Sequence, residues 1–257
     1  MSEGRSHSGW KNPAVLAAAV AGVLGLITAI TTTLLTQESG GPAPESPAAF
    51  VAEDSAQWPY RSFLFRETFS PGALADRYRQ EMGWLEGSDE PGIWEGLTVD
   101  GVHRLVNGHK EAEVFYFHLD AGQISPNVPI SARVRAEVDP TAGDSESAAG
   151  LLYRFDPQTG MYYAFVVSSS GTAELLKRTP ESLLTLQGWD LPASHPDGFR
   201  NLGIYGEGDV LHLYVDDAWL ATVEDVGPAV GIPGIIALFR GVFEFDEVTL
   251  YQPDAAP

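Results

Sequence analysis

The nine residues "ISARVRAEV" at 130–138 put Ile130, Ala132, Val134, Ala136 and Val138 on one parity and Ser131, Arg133, Arg135 and Glu137 on the other. A β-strand sends successive side chains to opposite faces, so this pattern sorts cleanly into a buried face and a wet one; a helix would scatter it around its circumference. The same logic recurs downstream. "AAGLLYRF", the turn "DPQTG", "MYYAFVVS", the turn "SSSG" and "TAELLKR" read as consecutive hairpins, with turn residues that supply the needed backbone angles. "DVLHLYV" and "WLATVED" flank Asp216 and Asp217, another two-residue hairpin signal. "GIPGIIALFR" is apolar almost throughout, as a strand covered on both faces should be. Only "TPESLLTLQGWDLPASH", from Thr179 to His195, breaks the rhythm, and it predicts a helical turn or a loop. Residues 60–252 therefore read as one all-β domain, long enough to bury a real core.

Upstream the chemistry changes. From Pro13 to Thr36, "PAVLAAAVAGVLGLITAITTTLLT" carries no charge, and as a helix at about 1.5 Å per residue it spans a hydrocarbon core of roughly 30 Å. It is longer than the apolar region of a cleaved signal peptide, so we expect a retained transmembrane helix over 13–36. Arg5 and Lys11 precede it with only Glu3 against them, whereas Glu38, Glu45, Glu53 and Asp54 follow before any base. The positive-inside rule then leaves residues 1–12 in the cytoplasm and everything after Gln37 outside, as a single-pass protein of the cytoplasmic membrane. Residues 37–59, rich in Pro, Gly, Ser and acid, read as a flexible linker, and 253–257 as a tail.

With 35 acids against 15 bases, a net charge of −20 repels phosphate backbones, which argues against a nucleic-acid partner. There is no cysteine, hence no disulfide and no thiolate metal site. His7, His103, His109, His118, His195 and His212 show no helical i, i+4 pairing or HExxH pattern, so a zinc site has no support. Ser168, Ser169 and Ser170 lack a G-x-S-x-G elbow, and the GxG of "YGEGDV" is a turn.

Several of these segments, in this order, resemble a recurrent bacterial extracytoplasmic domain of the concanavalin A-like lectin/glucanase superfamily, whose relatives include laminin G-like modules and 3-keto-disaccharide hydrolase domains. The pieces that carry the resemblance are "FRETFS" at 65–70, "PISARVRAEVD" at 129–139, "AAGLLYRFDPQTGMYYAFVVSSSGTAELLKR" at 148–178, "NLGIYGEGDVLHLYVDDAWLATVED" at 201–225 and "IPGIIALFRGVFEFDEVTLY" at 232–251. Between Asp76 and Asn127 the chain is longer and more polar than that pattern. The resemblance implies a two-sheet antiparallel jelly-roll sandwich with its first and last strands side by side and a sheet face that often binds sugar. That fold hosts lectins, hydrolases and interaction modules alike.

Within "GVFEFDEVTL" the spacing nearly matches the Glu-x-Asp-x-x-Glu of laminarinase-type hydrolases, which work with two carboxyls about 5–5.5 Å apart. Glu244 and Asp246 match the first two acids, but Thr249 stands in the place of the third, and alternation is expected to send Glu247 to the opposite face. No catalytic residue is therefore assigned; a glycosidase or keto-sugar hydrolase is the least favoured reading. The resemblance also implies a calcium ion between first and last strands, for which Asp246 and Glu67 are the expected ligands, since a hard cation takes roughly six to eight oxygens. If the hairpins pair as their turns suggest, Arg154 faces Tyr162 and Tyr162 faces Lys177, a polar trio that we take as the candidate glycan-binding residues. Trp94, Trp189 and Trp219 are candidate stacking platforms. The expected function is a membrane-anchored extracytoplasmic binding module for a glycan, with an accessory subunit of a membrane complex as the alternative.

Overall fold

A computed structural model describes residues 48–49, 57–70, 87–88, 94–108, 114–118, 128–138, 147–193 and 196–252, with side chains described for all but 48–49, 87–88, 94, 114–118 and 138. The chain divides into two units, 1–44 and 45–257, and every described residue lies in the second. No helix among the described residues is long and apolar enough to cross a membrane, and the expected anchor at 13–36 lies outside them.

The described elements are strands: β1 (Ala48–Ala49), β2 (Phe63–Glu67), β3 (Gly87–Ser88), β4 (Trp94–Val99), β5 (Val102–Asn107), β6 (Val114–His118), β7 (Ile130–Val138), β8 (Ala148–Phe155), β9 (Tyr162–Ser168), β10 (Thr172–Arg178), β11 (Leu183–Asp190), β12 (Arg200–Glu207), β13 (Val210–Val215), β14 (Ala218–Glu224), β15 (Ile232–Leu238) and β16 (Gly241–Tyr251). One sheet runs β1-β11-β10-β9-β8-β15-β6 and the other β14-β13-β12-β7-β16-β5-β4-β3, with β2 also paired to β16. All pairings are antiparallel except the short β1–β11 contact. The first long strand and the last thus lie side by side, Val248 opposite Glu67 and Leu250 opposite Phe65, in the jelly-roll sandwich the resemblance implied.

The alternating residues do what their parity dictates. Ile130, Ala132 and Val134 on β7, Leu202 and Ile204 on β12, and Phe243, Phe245, Val248 and Leu250 on β16 are buried against Leu151, Tyr153, Tyr163, Phe165 and Leu175 of the facing sheet. Each large apolar side chain so buried contributes about 1.5–3 kcal/mol. The first sheet is apolar on its other face as well, where Ala148, Leu152, Tyr162, Ala164, Val166, Leu176, Ile236 and Leu238 form a second buried cluster. This is why β8, β9 and β15 read as nearly continuous apolar runs.

Turns follow the expected chemistry. Asp216 and Asp217 form a two-residue loop with φ of 52° and 64°, the double left-handed geometry that matches strand twist and that aspartate tolerates. Their carboxylates are used locally: Asp216 accepts from Asn201 N (3.0 Å) and Arg200 Nη1 (2.5 Å), and Asp217 from Asn201 Nδ2 (2.7 Å). The "irregular" segment, by contrast, holds β11, whose Leu183–Asp190 pair with the whole of β10. The expectation of a helical turn or a loop there is corrected: pairing with β10 makes the segment a strand. Within the expected linker, β1 pairs with β11, and Gln57 bridges to Ala218, so two short pieces of 37–59 lie on the sandwich.

Candidate functional site

The wet face of β7 sits in the middle of its sheet, between β12 and β16. It carries Ser131, Arg133 and Arg135, and the neighbouring strand answers with acids. Arg135 Nε donates to Glu244 Oε2 (3.0 Å), Arg133 Nη1 donates to Asp246 Oδ2, and Arg133 Nη2 reaches Asp197 Oδ2. Arg66 on β2 donates to Glu247 Oε2 (2.5 Å), whose other oxygen accepts from Thr249 Oγ1 (3.0 Å). Both central guanidiniums lie over the Phe199 ring, at 4.5 Å for Arg133 and 4.8 Å for Arg135.

A bulge makes this ladder. Phe245 pairs with Val134 and Glu247 with Arg133, so Asp246 is an extra residue in β16. Parity is reset there: Phe243 and Phe245 point inward before the bulge, Val248 and Leu250 after it. Glu247 therefore shares the outer face with Glu244, Asp246 and Thr249, which corrects the alternation-based expectation that it faces away. A third carboxylate is present on this face, displaced from the motif position that Thr249 occupies. Glu244, Asp246 and Glu247 each meet a guanidinium.

Beside the ladder lies an aromatic shelf. Tyr251 Oη shares a hydrogen with Ser131 Oγ (2.9 Å), joining the shelf to β7. Tyr205 stacks on His212 with centroids 4.5 Å apart, His212 Nδ1 lies 3.2 Å from Thr222 Oγ1, and that oxygen accepts from Trp219 Nε1 (3.2 Å). Burial holds the phenols of Tyr205, Tyr214 and Tyr251 above their ordinary range, and a Tyr214 hydrogen bond adds to the shift of Tyr205. Burial likewise pushes His212 down, against the pull of Glu207. The shelf is thus uncharged near neutrality, and the charge of this face resides in the ladder.

The sequence-derived residues fall elsewhere. Arg154 is 1% exposed with φ of 52°, a left-handed conformation that breaks alternation. Its guanidinium lies against Gly206, and Nη1 donates to Pro228 O (3.3 Å). Lys177 stands opposite Tyr163, not Tyr162. The cause is the length of the turn: Ser168 pairs toward Thr172 across a three-residue loop with Gly171 at φ of 92°, a loop one residue out of step with the even-length turn we expected. Arg178 stands opposite Tyr162 instead, and Tyr162 is buried in the apolar cluster on the far face, with Leu176. Arg154 and Lys177 do converge, but on the loop after β14, where Lys177 Nζ donates to Asp225 Oδ2 (2.6 Å) and Val226 O (2.7 Å).

The expected calcium pair is split between two faces. Glu67 is buried at 6% exposure on the inward parity of Phe65 and Phe69, and its Oε1 accepts from Phe69 N (2.6 Å). Asp246 is on the outer face with Arg133, so the structure does not bring the two carboxylates together. Among the described residues there is no cluster of three His, Cys, Asp or Glu fit to hold a metal. Of the tryptophans, Trp189 is core, Trp219 is on the shelf, and the side chain of Trp94 lies outside the described set. Trp58, read as linker, was the aromatic that sequence reasoning missed: Tyr60, two residues on, joins it in the same buried cluster, and that closely spaced aromatic pair was the available signal.

No family model matches the chain. A 79-residue stretch is 39% identical to a TPR repeat-containing protein of Treponema pallidum (strain Nichols), a match that covers 30% of this chain and 9% of that protein. In shape the chain is similar to a Bacillus subtilis protein with a galectin-like fold, at 14% identity and a TM-score of 0.49 over 75% of this chain and 97% of that one. It is also similar to a Bacillus subtilis carbohydrate-binding module (14% identity, TM-score 0.44, 66% and 93% covered). The Bacillus licheniformis β-glucanase is a third (9% identity, TM-score 0.48, 73% and 97% covered).

Proposed function

We propose that this chain displays a glycan-binding module outside the cytoplasmic membrane, and that the module binds a neutral polysaccharide on the outer face of the β7–β16 sheet. One observation carries the reading: an arginine–carboxylate ladder and an uncharged aromatic shelf lie side by side on that face, joined through Ser131 and Tyr251. Sugar hydroxyls both donate and accept, and each arginine–carboxylate pair offers an acceptor beside a donor. Sugar C–H faces pack on aromatic rings.

Charge selects the ligand class. Arg66, Arg133 and Arg135 meet Asp197, Glu244, Asp246 and Glu247, so the ladder presents no surplus of positive charge. The chain as a whole carries −20. A polyanion would be repelled by this net charge. The uncharged run at 13–36, with its bases before and acids after, supports anchoring with the domain outside.

The test is an array of neutral and acidic glycans probed with the full-length chain in mild detergent. Binding to neutral members and not to uronate-containing or sulfated ones is the expected result. A preference for the acidic members, or silence across the array from folded protein, would remove this reading.

A further inference from the structure

Residues 57–60 lie across the same sheet face as the ladder. Gln57 forms a bridge with Ala218, and Trp58 N donates to Asp217 O (3.0 Å), so the segment is fastened at the β13–β14 turn. Beyond that turn it is held by a ring. The Trp58 indole, 5% exposed, has ring centroids 5.1 Å from Tyr214, 5.3 Å from Tyr251, 5.5 Å from Tyr60 and 6.0 Å from Tyr205. These are tilted or edge contacts, the favoured geometry for aromatic pairs.

The floor beneath the indole is Gly203. A Cβ there would lie 2.6 Å from the ring, so a side chain at this position would expel it. Gly203 pairs with Tyr214 on one side and with Ser131 on the other, and Ser131 pairs with Thr249. The cradle is therefore one strand away from the ladder, in the row that contains Thr249. It has a flat floor, aromatic walls and a polar rim formed by Ser131 and Tyr251.

We infer that this cradle is a saccharide-ring subsite occupied by the chain's own Trp58, and that residues 57–60 are a strap which a glycan displaces to bind. The inference rests on the glycan-binding reading and deepens it. A ring with an apolar face and hydroxyls around its edge fits the slot chemically: the walls receive the C–H face, and Ser131, Thr249 and Tyr251 receive the hydroxyls. Because the strap and the sugar compete, the apparent affinity of the intact chain equals the intrinsic affinity scaled by the fraction of molecules with the strap open. The strap is fastened at both ends, at Asp217 and Ala218 before Trp58 and at Ser62, whose carbonyl accepts from Gln252 N (3.0 Å), after it, so it lifts by releasing the Gln57 bridge and the Trp58 hydrogen bond while β2 stays paired to β16. A pull on the preceding segment or a partner that holds the strap would then raise affinity.

The experiment uses the full-length chain in detergent, labelled with 5-fluorotryptophan, with Trp58 assigned from Trp58→Phe. The probes are laminarihexaose, cellohexaose and maltohexaose. The expected result is that Trp58→Ala binds at least one probe on the order of tenfold or more tighter than the unaltered chain, with Trp58→Phe between them. The Trp58 fluorine resonance should also move toward its solvent-exposed position as the probe is added. Trp58→Phe keeps an aromatic in the cradle, so the comparison survives if Trp58→Ala does not fold. Equal affinities with an unmoved Trp58 resonance would overturn the strap and leave the glycan-binding reading standing. Absence of binding by all three proteins to all three probes would instead count against that reading itself, and the strap with it.

Discussion

Lys177 and Tyr163 face each other across β9 and β10 and bind the same oxygen, Asp225 Oδ2, at 2.6 and 2.7 Å. Burial pushes the Asp225 carboxyl up, but the Lys177 and Tyr163 hydrogen bonds outweigh it and hold it below its ordinary value of 3.8. A carboxyl depressed in the folded state contributes stability that is present above its unfolded value and is lost as pH falls through its folded one. Tyr163 is shifted the other way, raised by burial and by the Asp225 bond, and burial pushes Tyr153 up to about 12. Their contribution is complete below pH 10 and is lost as pH rises beyond it. Asp225→Asn should lower stability at pH 7 by about 1–3 kcal/mol and flatten the acid limb of a plot of melting temperature against pH. An unchanged acid limb would show that Asp225 is not a stability switch.

At Gly150 the backbones of β8 and β9 approach closely. A Cβ there would lie 2.1 Å from the carbonyl oxygen of Phe165 and 2.7 Å from Val166 Cα, both backbone atoms that cannot step aside alone. Gly150→Ala should force β8 away from β9 and destabilise the domain by roughly 2–4 kcal/mol, measured by urea denaturation. Gly160→Ala is a useful contrast: that site is open, and its φ of 70° sets the cost.

Most of the architecture was readable because it depends on local pattern. Period-two alternation gave β7, and turn residues gave the β8–β10 and β13–β14 hairpins, including the left-handed pair at Asp216 and Asp217. What escaped depends on single extra residues. The three-residue loop before Thr172 moved Tyr162 away from Lys177, and the bulge at Asp246 brought Glu247 onto the face of Glu244. Nothing in composition marks a bulge at an aspartate or a left-handed arginine at 154, because both are set by strands that meet only in the folded sheet. β11 escaped for a related reason: its strand character comes from pairing with β10.

The division of Glu67 and Asp246 between inner and outer faces has a direct thermal consequence. Excess EDTA or added calcium should leave the melting temperature of the full-length chain unchanged, because an ion held by both carboxylates would need them on one face. A rise with calcium that EDTA reverses would contradict the placement.

The Glu244, Asp246 and Glu247 ladder predicts no glycoside hydrolysis, since each carboxylate is committed to an arginine. Incubation with neutral β-glucans should release no new reducing ends. Turnover abolished by Glu244→Gln or Asp246→Asn would convert the ladder into an active site.

Arg133 is central to the face, bonded to Asp246 and Asp197 and lying over Phe199. It is 38% exposed along its side chain, so its removal should cost little stability. Calorimetric titration of the full-length chain with a neutral oligosaccharide, beside its Arg133→Ala variant, is the most direct measurement of the proposed binding face. The account predicts saturable binding that Arg133→Ala weakens by about tenfold, near 1.4 kcal/mol, with the melting temperature almost unmoved. Equal affinity in the two folded proteins would contradict it.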